Sequence, residues 1–296
     1  MEAHIFPALS DVFVQDILAY LGCLPKAPTL RYLNRLIHAY IRKVPWESVS
    51  RIVKRHATLE TKDCPRWPAE FWEEAIQHGF GGTCFESSLA FYSLLMALGY
   101  EGYLTVNDMG DSRGCHAAIV ILLDGQKYLV DITIPVHAAV RIDPQKAVRR
   151  STTFLDYMIR PVSKNQYEVG RSHHPNRNAF TLIDTPVSLS DYQTIMEDDY
   201  QETTGSFLRS VVIVKFIDGK TQRFFSDHKP CKLESFNRTG KNETFIELET
   251  LAPALAGLFQ IPEQKISAAL TWIQSPPVEL CNQNKILPMV LEGSAQ

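Results

Sequence analysis

The chain has 296 residues, which is enough for two or three domains with sizeable cores. Hydrophobic residues make up 45% and charged residues 21%, an ordinary balance for a soluble globular protein. The net charge is −3 and no long basic or acidic run is present, which argues against nucleic acid or an anionic membrane surface as a partner.

Neither a membrane anchor nor secretion is expected. The most apolar run, Ile119–Leu123, is far too short to span a bilayer, and the first residues lack the features of a signal peptide. The six cysteines are scattered, with no Cys-x-x-Cys pair, which favours reduced thiols over a disulfide framework. We therefore predict a cytoplasmic protein.

The first hundred residues have the apolar periodicity of helices. Asp11 can cap a first helix that ends at Gly22. Pro28-Thr29 opens a second helix, which Pro45 stops, and a short third helix is expected over residues 69–77.

A cysteine stands at the start of the next predicted helix. Cys84 follows two glycines and Thr83, and it precedes a run of good helix formers that ends at a natural C-cap, Gly99. The run is apolar nearly all round, which is typical of a buried helix. The unpaired N–H groups and positive dipole end of the first turn favour a thiolate, so Cys84 is a candidate nucleophile.

From Tyr100 the pattern changes to strands. Segments 116–123 and 126–132 flank Asp124-Gly125, the strongest short hairpin signal. If the loop has two residues, any two residues that face each other across the hairpin have numbers that add up to 249. Because side chains alternate between the two faces of a strand, His116 and Asp131 are then diagonal neighbours on one face. A three-residue loop would instead place His116 on the opposite face.

Asp131 has a predicted partner because a carboxylate in so apolar a hairpin is costly to bury alone. His116 is the nearest donor, and a carboxylate there can hold the tautomer and orientation of its ring. With Cys84 the set comprises a nucleophile, a base and an orienting acid. Taken alone, Cys84 is equally consistent with a small buried side chain at a helix start. Cys115 beside His116 suggests a metal, but no second Cys/His pair supports it, and we predict no metal.

The last third of the chain mixes helices and strands. Short strands are expected up to about residue 183. Beyond it we predict helices over 190–200, 250–259 and 262–272, and strands at 207–216, 224–225 and 243–248.

The sequence around the candidate nucleophile resembles a known motif. Gly81-Gly82-Thr83-Cys84-Phe85-Glu86 is similar to the arginine–glycine–glycine–x–cysteine–phenylalanine motif of the arylamine N-acetyltransferases. His116 and Asp131, separated by 15 residues, resemble that family's histidine and aspartate. Further similar segments follow in the family's order: Pro28-Thr29-Leu30, Val44-Pro45-Trp46-Glu47-Ser48-Val49, Thr204-Gly205-Ser206-Phe207 and Phe259-Gln260-Ile261.

This resemblance, which covers most of the chain, implies an α+β fold with a cysteine-proteinase-like core. The expected parts are a helical bundle over residues 1–100, an antiparallel β-barrel over 101–190 and an α/β lid over 191–296. It also implies a ping-pong reaction, in which Cys84 takes an acetyl group from acetyl-CoA and an arylamine, hydrazine or similar amine takes it from the thioester. The expected partners are therefore a small-molecule amine and acyl-CoA, with acetyl-CoA as co-substrate, in a monomer or weak oligomer that serves xenobiotic metabolism.

The resemblance also suggests substrate contacts. Thr204 and Ser206 are candidates for binding CoA, and Phe207 and Ile134 for lining the pocket. From the residues alone, Thr204 and Ser206 are equally suited to capping a turn. Trp46 is interpreted as domain packing rather than as a substrate contact.

Three departures from the family pattern stand out. Phe80 replaces an arginine, so we expect a structural ion pair to be missing. Thr133-Ile134-Pro135 replaces glycine–phenylalanine–glycine in what looks like pocket lining, and the segment 107–113 is short. Other functions remain open on this evidence: a related amide synthase, a papain- or transglutaminase-like cysteine hydrolase, or a non-catalytic binding protein on the same scaffold.

Overall fold

The computed structural model describes residues 8–134, 136–172, 174, 177–201 and 207–274. Thr204 and Ser206, the two proposed CoA contacts, lie outside the described residues. In the described part, helix and sheet are mixed as expected, and the sheets form a nearly closed barrel and a second, smaller sheet.

Helices dominate the part that precedes the barrel. They are α1 (Asp11–Leu21), α2 (Leu30–Lys43), α3 (Val49–Ala57), α4 (Pro68–His78) and α5 (Cys84–Ala97), with a two-residue strand, β1 (Trp46–Glu47), before α3. The Thr29 hydroxyl accepts from Tyr32 N at 3.2 Å and caps α2 as predicted. The first helix is capped by Ser10 rather than by Asp11, because the Ser10 hydroxyl accepts from Phe13 N at 3.3 Å.

The helix α3 was not predicted, and its N-terminus explains why. Ser48 precedes it but makes no side-chain cap. Its hydroxyl donates to Ser210 O at 2.7 Å and accepts from Val212 N at 2.9 Å. A residue that normally marks a helix start thus joins this part of the chain to a strand that follows far along the sequence.

The barrel is antiparallel and has the strand order β5-β4-β3-β2-β9-β8-β7-β6, with β5 and β6 in contact across the remaining gap. The strands are β2 (Glu101–Met109), β3 (Ser112–Leu123), β4 (Gln126–Val130), β5 (Val140–Ile142), β6 (Val148–Ser151), β7 (Asp156–Ser163), β8 (Gln166–Arg171) and β9 (Asn178–Ile183).

The hairpin β3–β4 has the predicted register. Ile119 pairs with Val130 and Val120 with Leu129, so paired numbers add up to 249. Asp124 and Gly125 have φ angles of 51° and 69°, as a two-residue hairpin turn of type I′ requires. β4 ends at Val130, so Asp131 lies just beyond the paired residues, where its backbone is free to turn.

The second sheet is built mostly from the last third of the chain. After α6 (Leu189–Asp198) come β10 (Val212–Ile217), β11 (Lys220–Phe225), β12 (Lys232–Asn237) and β13 (Gly240–Phe245), followed by α7 (Leu251–Phe259) and α8 (Glu263–Gln274). The order is β1-β10-β11-β12-β13, so a strand from the helical part forms one edge. The strand predicted to begin at residue 207 begins only at Val212. The strand β12 was not predicted.

Three hydrophobic cores hold the structure together. One lies between the helices and one face of β2 and β3, one inside the barrel, and one between α3, α7, α8 and the second sheet. The first core includes Ile119 of the barrel and Tyr192 of α6, so it crosses the boundaries expected at residues 100 and 190. That division into three domains stays a prediction. Among the described residues, no helix combines the length and apolarity that a bilayer crossing needs.

Candidate active site

Cys84 is the first residue of α5 and is buried. The turn before it needs glycine, because a Cβ on Gly81 would lie 1.7 Å from the carbonyl oxygen of Pro45. Gly82 bridges to Trp46 of β1. The two glycines therefore let the segment before the nucleophile pack tightly against the strand that enters the second sheet.

A buried ion pair between Arg66 and Glu86 anchors the first turn of α5. Arg66 donates through Nε to Glu86 Oε2 at 3.1 Å, and through Nη1 to Glu74 at 2.8 Å. Its Nη2 donates to Gly81 O at 2.7 Å. Burial raises the pKa of Glu86, but Arg66 outweighs this and holds the pKa below its ordinary value. Phe80 itself packs into the core beside α3 and α7.

His116 lies on β3, with its ring against Phe180 at a centroid distance of 4.5 Å. Its Nε2 lies 2.8 Å from Asp131 Oδ2, which confirms the contact predicted from the hairpin. Cys84 lines the same cavity as His116, and the Cys84 thiol contributes to raising the pKa of the imidazole. The thiol further lies 3.7 Å from the carbonyl oxygen of Cys115, so α5 and β3 meet at this point.

Asp131 is held by more groups than His116. Its Oδ1 accepts from the N–H of Thr133 at 2.9 Å, the Thr133 hydroxyl at 3.0 Å and the N–H of Ile134 at 2.9 Å. The chain folds back around the carboxylate as soon as β4 ends. Thr133, interpreted from sequence only as pocket lining, thus also fixes the carboxylate that orients His116.

The electrostatics of this cluster favour a protonated His116. Burial lowers its pKa, but the Asp131 carboxylate and the Cys84 thiol outweigh burial and raise the pKa to about 10. The arrangement therefore places a proton donor beside the sulfur of Cys84.

Cys84 and His116 open onto a cavity of about 220 Å³. One wall comes from the second sheet, where Thr221, Arg223 and Phe225 alternate along β11 on one face. The rest of the lining is shared between the barrel, the loops and the strands that flank β11: Trp46, Met109, Cys115, Thr133, Ile134, Phe154, Leu155, Arg171, His174, Phe207, Val214 and Phe236.

Two of the four predicted substrate contacts can be located. Ile134 and Phe207 both line the cavity, and their roles stay predictions. Trp46, interpreted as packing, also lines the cavity and meets Phe207 edge to face at 4.9 Å. Its neighbour Glu47 is structural, since it accepts from Gly81 N at 3.0 Å.

Sequence reasoning missed the polar side chains that other strands bring to the cavity: Arg171, Thr221 and Arg223. Only the strand pairing, set by contacts distant in sequence, brings them beside Cys84. The segment 221–225 gave no clear local signal, because three polar residues are followed by two phenylalanines instead of alternating with apolar ones. Among the described residues, no group of three or more His, Cys, Asp or Glu side chains could hold a metal ion.

Comparison with known proteins places this site in a family. A family model for N-acetyltransferase matches residues 29–261, and the chain belongs to the arylamine N-acetyltransferase family. The family and the fold together support an acyltransferase. No curated protein sequence matches the chain.

Solved structures share the fold at low identity. The arylamine N-acetyltransferase from Salmonella typhimurium is 14% identical, with a TM-score of 0.72 over 89% of this chain and 99% of that one. The Mycobacterium marinum enzyme, in complex with CoA, is 14% identical, with a TM-score of 0.73 over 86% and 97%. An arylamine N-acetyltransferase from Bacillus cereus, described as having a unique Cys-His-Glu catalytic triad, is 18% identical, with a TM-score of 0.66 over 86% and 99%.

Proposed function

We propose that this protein transfers an acetyl group from acetyl-CoA to an arylamine, hydrazine or similar amine, with Cys84, His116 and Asp131 as a catalytic triad. The observation that supports this most is the position of His116, which lies 2.8 Å from the Asp131 carboxylate and lines the same cavity as Cys84. A nucleophile, a base and an orienting group in contact form the arrangement that covalent acyl transfer requires.

In the first half-reaction, the Cys84 thiolate attacks the thioester carbonyl of acetyl-CoA. The carbon–sulfur bond to CoA breaks, and the leaving CoA thiolate takes the proton of the His116 imidazolium. In the second half-reaction, the amine attacks the acetyl-Cys84 carbonyl, neutral His116 takes a proton from the amine, and the Cys84 thiolate leaves. The protein thus returns to its starting charge state.

Both half-reactions pass through an oxyanion. The first N–H groups of α5 have no partner within the helix, and they carry the positive end of its dipole. We propose that they stabilise the oxyanion that forms on the carbonyl attacked by Cys84.

The surface outside the cavity suits the phosphates of CoA. His174 and Phe236 line both the cavity and an outer groove that also contains Arg177, Arg238 and Lys241. A related enzyme has been solved with CoA bound. We propose that the phosphates lie on this basic groove while the pantetheine arm reaches Cys84, so that CoA lacking its 3′-phosphate should bind more weakly.

The third member of the triad is an aspartate in this proposal, although one relative is described with a glutamate. The shorter side chain reaches His116 because Asp131 directly follows β4 and faces β3 across the hairpin. The three further hydrogen bonds on Asp131 Oδ1 support an orienting role.

The test is intact-protein mass after incubation with acetyl-CoA. We expect the protein to gain one acetyl group, which maps to Cys84 and is absent in Cys84→Ala. When an arylamine is added, the acetyl group should leave the protein and be found on the amine. Cys115→Ala, which removes the neighbouring thiol, should still be labelled. No adduct with any acyl-CoA donor, or cleavage of peptide substrates without CoA, would contradict the proposal, and the second result would favour a cysteine hydrolase.

A further inference from the structure

We infer that a substrate of this protein carries a carboxylate, which Arg171 and Arg223 bind beside Cys84 while the Thr221 hydroxyl completes the site. The inference rests on the proposed function and specifies the substrate of the same cavity. The carboxylate belongs either to the acyl group, as in a dicarboxylic acyl thioester, or to the amine, as in an aminobenzoate. The chemistry of recognition is the same in both cases.

Arg223 is fixed in the cavity wall. Its Nε donates to Glu234 Oε2 at 2.6 Å, and its guanidinium lies over the rings of Phe225 and Phe236 at 5.4 and 5.3 Å from their centroids. Among the described residues, the contacts with Glu234 use Nε and Nη2 and leave Nη1 for the cavity. An oriented guanidinium is well suited to a planar carboxylate.

Glu234 does not cancel the positive charge on this wall of the cavity. The same carboxylate also contacts Lys241 and lies 3.9 Å from Lys232, and both lysines contact Glu243 as well, so three cations share two anions. The side chains that line the cavity within the described residues include two arginines and no carboxylate. The nearest buried carboxylate, Asp131, is already engaged by His116 and Thr133.

Arg171 is the second cation of the cavity and comes from the end of β8. Burial lowers its pKa to about 10, while Tyr157 and Asp131 raise the pKa and the like charge of Arg223 lowers it. Arg171 therefore stays protonated at neutral pH and is repelled by Arg223. An anion between the two guanidinium groups would relieve this repulsion.

Thr221 provides an independent sign of a ligand. Its side chain lines the cavity two residues before Arg223 on β11. Its Oγ1 is buried and has no hydrogen-bond partner among the described residues. A buried hydroxyl without a partner is costly, and a carboxylate oxygen held by the neighbouring arginine would satisfy it.

The phosphates of CoA are a poorer match for these three residues. The thioester must reach Cys84, and the pantetheine arm with its two amide units separates the thioester from the phosphates. Arg223 and Thr221 lie in the cavity with Cys84 itself, whereas Arg177 and Arg238 lie on the outer groove. The inner cations are thus placed for a group close to the bond that reacts.

The experiment compares kcat/KM for charged substrates and their neutral isosteres. In the donor arm, malonyl-CoA is compared with isovaleryl-CoA, using aniline as acceptor. In the acceptor arm, 4-aminobenzoate is compared with 4-aminobenzamide, using acetyl-CoA as donor. We expect the carboxylate to be preferred about tenfold or more in one arm, and that arm identifies which substrate carries it.

Variants connect the preference to the residues. Arg171→Gln and Arg223→Gln should each reduce the charged-to-neutral ratio about tenfold, and Thr221→Val should reduce it by less. The ratio is measured on one preparation, so loss of folded protein cancels. Arg31→Gln, an exposed change on α2, should leave the ratio unaltered.

Two results would overturn the inference while leaving the proposed function intact. One is acetyl transfer to aniline with no preference for a carboxylate in either arm. The other is a preference that neither arginine variant alters. Failure to acylate Cys84 with any donor would overturn the proposed function itself, and this inference with it.

Discussion

Asp131 is the most tightly held ionisable group in the site. Its two oxygens receive hydrogen bonds from His116, from the Thr133 backbone and hydroxyl, and from the Ile134 backbone. A carboxylate with this many donors cannot rotate without breaking several of them. The hydrogen bond to His116 therefore has a fixed direction, which in turn fixes the ring nitrogen that faces Cys84.

Asp131→Asn tests this role at the level of one atom. The amide keeps the shape of the side chain but favours the wrong tautomer of His116, so we expect kcat to fall roughly 10²–10⁴-fold with the fold intact. Steady-state kinetics and circular dichroism measure the two effects. Thr133→Val should lower kcat by less, since it removes one of the four hydrogen bonds, and Thr133→Ser should restore it. A near-normal rate in Asp131→Asn would make Asp131 purely structural.

The protonation of His116 predicts a dependence of stability on pH. Its pKa in the folded protein, about 10, lies above its ordinary value of 6.5, so protonation of His116 stabilises the folded state. This contribution is complete below about pH 6.5 and is lost as the pH rises toward about 10. Urea unfolding at about pH 6, 8 and 10 should show a steeper loss of stability for the wild type than for His116→Gln. Parallel curves would show that the proton is not linked to folding.

At the scale of elements, the turn of the β3–β4 hairpin sets the site. Asp124 and Gly125 both adopt left-handed backbone angles, and the resulting two-residue loop keeps His116 and Asp131 in contact across the two strands. A loop one residue longer or shorter would turn one of these side chains away. The catalytic geometry thus depends on two residues at the far end of the hairpin.

Gly125→Ala should destabilise the protein by about 1 kcal/mol. Space is not the reason, because a Cβ at Gly125 would meet nothing within 4 Å; the cost arises from a φ angle of 69°. Gly257→Ala is the matched control, since that position in α7 is equally open and has no positive φ, and it should stabilise the protein by about 0.5–1 kcal/mol. Chemical denaturation measures both, and equal effects would contradict the argument.

Elements specified by neighbouring residues could be predicted from sequence. The start of α5 at Cys84 and the hairpin register follow from glycines, capping and alternation within a few residues. The helix α3 was missed even though Ser48, a residue type common at helix starts, directly precedes it. The ion pair of Arg66 with Glu86 was also missed, because its partners lie 20 residues apart and nothing local shows that both are buried.

At the scale of the molecule, the cavity is formed by three parts of the chain. α5 contributes Cys84, the barrel contributes His116 and Arg171, and the second sheet contributes Thr221 and Arg223. The resemblance to a known family correctly implied the fold. It did not imply this wall, because Arg171, Thr221 and Arg223 can be placed beside Cys84 only once the strand pairing is known.

We predict that the described parts unfold together. β1 pairs with β10, the Ser48 hydroxyl bridges the same two regions, and Arg51 joins the helices by bonding Thr83 at 3.0 Å and Asp199 at 2.7 Å. Because these links join the first and third predicted parts, and the first hydrophobic core also includes Ile119 of the barrel, far-UV and near-UV circular dichroism should give one coincident urea transition. Ser48→Ala should lower its midpoint without splitting it. Two separated transitions would show independent domains.

The position of Arg66 has an evolutionary consequence. A buried Glu86 needs a cation, and removing its partner would cost about 3–5 kcal/mol, a large part of a protein's stability. Arg66 can therefore change only together with Glu86, or once another cation has reached that carboxylate. The position before the two glycines is outside this constraint, because Phe80 packs into the core and takes no part in the ion pair.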